Sequence, residues 1–149
     1  MKKLVSFGIL AVCVLVIGCS SQNTETLILG QWYNQSLEVK LNYPDSGDSI
    51  FSVPAGHWEE TLQIKPINTT YYKNGTFTSE YVALDGSPIQ TTEGTWAVKG
   101  DSLYLTQDGV TGAYYFEWMD GKAAFTGLLD WDSDGNADDL YSGVQIKRE

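Results

Sequence analysis

The residues best equipped for chemistry lie together near the C-terminus. Asp130 to Asp139 reads DWDSDGNADD, five aspartates in ten residues with no lysine or arginine among them. Asp130, Asp132 and Asp134 alternate, Gly135 follows, and Asn136, Asp138 and Asp139 complete the run. Calcium takes about six to eight oxygen ligands, and alternate short carboxylates on a tight turn converge on one point. Gly135 permits the bend, and Asn136 offers its backbone carbonyl. Without a counterion such carboxylates repel by about 1 kcal/mol per close pair in water, and by more at lower dielectric. One reading is a structural calcium ion held by Asp130, Asp132, Asp134, Asn136, Asp138 and Asp139. The other is a solvated acidic turn whose carboxylates cap the backbone.

The spacing fits the first nine places of an EF-hand-type loop, but Tyr141 stands at the twelfth, where that loop carries a bidentate glutamate. The flanks also read as strands. The run is therefore a DxDxDG-type loop capping a hairpin, with Asp138 or Asp139 as the closing carboxylate. Its role would be structural, because calcium activates water poorly. Other chemistry is sparse. His57 is the only histidine, and no serine sits in a nucleophile-elbow pattern. No nucleophile, acid–base pair or catalytic metal set stands out, so the chain is expected not to be an enzyme.

The N-terminus gives an address. Lys2 and Lys3 precede Leu4 to Ile17, apolar apart from Ser6 and too short for a permanent span. Val16-Ile17-Gly18-Cys19 follows, then Ser20. This resembles the lipobox of bacterial lipoproteins. The resemblance implies a signal peptide over 1–18, a diacylglycerol on Cys19, and a lipidated tether over 19–26. The bilayer is then a partner through acylated Cys19, and several acyl chains on one residue hold firmly. Ser20 after the cysteine resembles an outer-membrane address in the bacterial cell envelope. The alternative is an ordinary secretory signal, or a short anchor, with an incidental cysteine. On the lipoprotein reading Cys13 leaves with the signal, and the mature chain has no thiol or disulfide.

The formal charge is −10, and losing the two positive charges of Lys2 and Lys3 takes it to −12. Such a balance argues against nucleic acid and against an anionic membrane surface as partners. Much of it serves solubility.

The elements that must position these groups read as strands. Gly94, Trp96 and Val98 share one parity around a turn at Lys99-Gly100-Asp101, and Leu103 and Leu105 continue it. This is a hairpin with one buried face. Asn74-Gly75, Asp85-Gly86, Asp108-Gly109, Asp120-Gly121 and Asp134-Gly135 punctuate the chain at similar intervals, each a tight-turn signal. Phe77, Tyr81 and Ala83 share a face, as do Tyr114, Phe116 and Trp118, and Val144 and Ile146. Leu37, Val39 and Leu41 alternate in an early strand, and Ile50 to Val53 forms a short one ended by Pro54. Gly56 to Lys65 fits a strand or a helical turn, and strand is the expectation. Six or seven strands after Ile67, with one to three before, predict an all-β antiparallel up-and-down meander. It closes into a barrel of about eight strands over 27–149, because closure removes exposed edges.

Leu29-Gly30-Gln31-Trp32 is similar to the Gly-x-Trp opening of lipocalins, and Gly94-Thr95-Trp96 repeats it. With Asn74-Gly75-Thr76-Phe77, these motifs in order resemble the small lipocalin-like domains of bacterial lipoproteins. The family's arginine near the last strand, packed over the opening tryptophan, is missing; only Lys147 and Arg148 stand nearby. The resemblance implies a membrane-anchored binding protein for a small apolar or amphipathic ligand. Trp32, Trp96 and Tyr81 are the ligand-binding candidates, although large aromatics at such positions more often pack a core. The alternative is a cell-envelope interaction or inhibitor module with a filled core. Interior volume separates the two.

Overall fold

The structure is a computed structural model that describes residues 23–148 apart from 44–46 and 48. The expected signal and lipidation site, Cys19 included, lie outside the described residues. The chain enters through a one-turn helix, α1 (Thr24–Ile28), capped by the Asn23 side chain, which accepts from the Glu25 amide at 3.1 Å. The segment expected as tether therefore becomes helix at Thr24.

Strand β1 (Gly30–Leu41) carries two inward registers. Trp32 and Asn34 face in, a bulge between Asn34 and Ser36 shifts the parity, and Leu37 and Val39 face in beyond it. β2 (Ser49–Val53) pairs with the far half of β1. Seven further strands follow as a meander. They are β3 (Asn68–Tyr71), β4 (Thr76–Val82), β5 (Pro88–Lys99), β6 (Ser102–Gln107), β7 (Val110–Trp118), β8 (Lys122–Leu129) and β9 (Asp139–Lys147). Each pairs antiparallel with the next, β3 takes the near half of β1, and β9 returns to pair with β1 from Trp32 to Lys40. The ring closes with eight strands, and β2 is the extra one on the edge of β1 that β3 leaves. Turns fall where the Asx-Gly dipeptides place them.

Gly56 to Lys65 is corrected from strand to a one-turn helix, α2 (Trp58–Leu62), ended by Gln63 in the left-handed region at φ 56°. Helical spacing sets Trp58 and Leu62 on one side, against Leu37, Val39 and Val53. Ile64 keeps one bridge to Ala83.

The end beneath α1 is packed solid. Trp32 is fully buried and meets Phe116, Trp118 and Phe125 edge-on at 6.4, 5.9 and 6.3 Å, a favoured arrangement of aromatic rings. Its indole Nε1 donates to the Ile28 carbonyl at 2.7 Å. Lys147 covers this end. Its Nζ lies 5.4 Å from the Trp32 ring centre and 5.7 Å from that of Trp118, and donates to the Leu27 carbonyl at 2.7 Å. Ile28, Tyr71, Phe77 and Leu103 complete this core.

Candidate functional site: the open half of the barrel

The opposite end differs because small inward residues stand among its rings. Thr69, Ser79, Thr92 and Gly112 line it where large aromatics line the closed end. They leave a cavity of about 800 Å³ inside the ring. Tyr71, Phe77 and Phe125, which also belong to the packed core, bound it below. Ile67, Leu105, Leu129, Tyr81, Tyr114 and Tyr141 form much of its wall. Asp108, Val110, Asp130 and Trp131 are exposed at its rim, on the β6–β7 turn and the β8–β9 loop.

Gly143 helps shape this wall. A Cβ there would collide with the Tyr141 hydroxyl, so glycine lets that ring lie along its own strand. Tyr141 then sits in a run of rings, stacked with Trp131 at 6.2 Å and edge-on to Tyr114 at 6.0 Å, with Phe51 a further 6.1 Å from Trp131. Burial pushes the phenols of Tyr71, Tyr114 and Tyr141 above the usual tyrosine range, and neighbouring phenols, Tyr81 among them, add to it. All three stay protonated at neutral pH.

The polar atoms in this space are mostly paired. Thr69 and Ser79 hydroxyls meet at 2.9 Å, and Gln145 Nε2 donates to Asn34 Oδ1 at 3.4 Å. Two buried atoms of the wall have no protein partner among the described residues: Gln145 Oε1 and Trp58 Nε1. Trp58 and Asn34 also line a groove of about 670 Å³ on the outer wall, where β1 has left β3.

The aspartate loop stands beside the mouth. The structure brings Asp130, Asp132 and Asp134 together, with one carboxylate oxygen of each within 4.8 Å of the others. Desolvation raises the Asp132 carboxyl first, and Asp139, Asp134 and Asp130 add repulsion. The remaining expected ligands have other partners. Buried Asp139 accepts from the backbone amides of Asn42, Trp131 and Asp132 at 2.9, 2.8 and 3.2 Å. The Asn42 amide is the largest of the causes that hold its carboxyl below the ordinary range. Asp138 accepts from Asn42 Nδ2 at 2.8 Å, and Asn136 donates both its amide and Nδ2 to Asp134. The three clustered carboxylates cap backbone as well: Asp130 accepts from the Gly135 amide at 3.1 Å, Asp132 from Asp134 at 3.2 Å and Asp134 from Asn136 at 2.7 Å.

Of the three residues expected at a ligand, Tyr81 lines the cavity and Trp32 and Trp96 do not. Trp32 is closed-end core. Trp96 donates to the Tyr72 carbonyl at 3.0 Å and packs edge-on against Tyr71. Both tryptophans serve the packed half because the first halves of β1 and the last of β5 run there. His57 is exposed on the outside, 3.0 Å from Glu60. Sequence reasoning missed Trp58, Trp131, Tyr141 and Gln145. The inward parity of Tyr114 was readable, whereas that of Tyr141 and Gln145 depends on the register β9 takes against β1. No protein-family model matches the chain, and no curated protein matches it in sequence.

Proposed function

We propose that this protein is a lipid-anchored, lipocalin-like carrier that holds one small apolar or amphipathic molecule in the open half of its barrel. The observation that carries the reading is the cavity of about 800 Å³ lined by rings and aliphatic side chains. Small-molecule sites have roughly 300–1,000 Å³, mostly apolar walls and a few placed polar groups. A filled interaction module, the rival reading, fits a hollow half poorly. The reading is of binding and not of catalysis, since the phenols are held protonated and the sole histidine lies outside.

The anchor in this proposal is an acylated Cys19 in the bacterial outer membrane, supported by the lipobox-like Val16 to Cys19. The short stretch between Cys19 and α1 would hold the barrel close to the lipid. The loop triad of Asp130, Asp132 and Asp134 would take one structural calcium ion, completed by backbone carbonyls and water. That ion would relieve the crowding felt by Asp132 and brace the last hairpin.

Native mass spectrometry of the protein purified without chelator, then again after EDTA, tests both parts. A bound mass of a few hundred daltons that survives both is the expected sign of a carrier. One calcium mass lost in EDTA is the expected sign of the loop site. A bare polypeptide in both samples, with no uptake of added apolar probes, contradicts the carrier.

A further inference from the structure

We infer that the molecule this cavity takes is an amphipathic organic cation, such as a protonated amine, with its apolar body among the rings and its positive head toward the mouth. The inference rests on the carrier reading above and adds the charge of the ligand.

Among the described residues that line the cavity there is no lysine, arginine or histidine. Its charged groups are Asp108 and Asp130, both exposed at the rim. Asp132 and Asp134 crowd behind Asp130. An anionic head at this mouth meets only like charge, whereas a cation is drawn in by it. The ring faces act in the same direction. Trp131 is 41% exposed and stacks on Tyr141, so the rim carries an aromatic surface of the kind that attracts ammonium groups.

Each carboxylate about 4 Å from a cation in water is worth about fivefold in affinity. A head within that distance of both rim carboxylates would be favoured over its neutral counterpart by at least tenfold. The test is calorimetric titration of the full chain bearing Cys19→Ser, in EDTA at neutral pH and low salt. The probes are phenylbutylammonium, phenylbutanol and phenylbutanoate, which share one apolar body. The expected order is ammonium tightest, alcohol at least tenfold weaker, and carboxylate weakest. The pair Asp108→Asn and Asp130→Asn should narrow the ammonium–alcohol gap to about threefold or less. The charge-matched pair Glu93→Gln and Glu117→Gln, on the outer face, should leave it unchanged. Equal binding of ammonium and alcohol, or the same narrowing in the outer-face pair, overturns the cation inference and leaves the carrier reading standing. Binding by none of the three overturns both.

Discussion

Lys147 closes the packed end of the barrel by covering Trp32 and Trp118 with its cationic head and by capping the Leu27 carbonyl. Burial lowers its pKa, yet the ring faces and the carbonyl both favour the charged form. Lys147→Ala should cost about 1–3 kcal/mol in urea unfolding, and Lys147→Arg should keep most of the stability. An unchanged midpoint in the alanine variant would mean that the contact is idle. Asp139 does comparable work at the open end, where one buried carboxylate collects three backbone amides from two segments. Its folded pKa is depressed, so its stabilisation is present at neutral pH and is lost as pH falls below the ordinary value of 3.8. Asp139→Asn leaves an amide group facing amide donors. It should lower the melting temperature by roughly 10 °C at neutral pH and flatten the acid limb of the stability profile. The run of acidic letters pointed to this site but did not separate Asp139 from the other four. Burial separates it, and burial comes from the packing of Asn42 against the loop.

The loop, the short helix and the hairpins behave differently as elements. Hairpins were legible because an Asx-Gly pair fixes a turn wherever it stands, and period-two alternation does the rest. Helix α2 was not, because five residues are too few to display a helical period. Trp58 and Leu62 satisfy either pattern until β2 and β1 supply the surface they cover. Strand β9 misled in another way. Val144 and Ile146 do share a face, but it is the outer one. The inward face holds Tyr141, Gly143, Gln145 and Lys147, as the pairing with inward Phe125, Val39 and Trp32 requires. For the β8–β9 loop the desolvation of Asp132, with the repulsion of its neighbours added, sets the prediction. Its carboxyl is raised, so the charged form is the strained one at neutral pH and protonation relieves it. Asp132→Asn should therefore raise the melting temperature in EDTA. It should also abolish any increase that added calcium gives the unsubstituted protein, which the proposed loop site predicts. A calcium response that survives the substitution would remove the triad as the ion's site.

The whole molecule is a barrel with two unlike halves. Parity shows which way a side chain points and says nothing about how much room remains. The closed ring was therefore legible, and the hollow within it was not. Thr92 and Gly112 looked like ordinary strand residues, and only closure reveals that they leave space. The buried phenols give the barrel a characteristic alkaline limit. The folded pKa values of Tyr71, Tyr114 and Tyr141 lie above the unfolded value of 10.0, so stability is undiminished below about pH 10 and is lost as pH rises beyond it. Lys147, whose folded pKa is lowered, works in the opposite direction but is one group against three. Melting curves from pH 8 to 12 should fall steeply above about pH 10, and Tyr141→Phe should soften the fall.

The most direct test of the two-halves account is a side-chain NMR titration of the barrel with phenylbutanol, followed by phenylbutylammonium. The account predicts shifts in the rings of Tyr81, Tyr114, Tyr141 and Trp131 and in the methyls of Ile67, Leu105 and Leu129, with Trp32 and Phe116 unmoved. Shifts confined to the outer wall, or none at saturating probe, would contradict it.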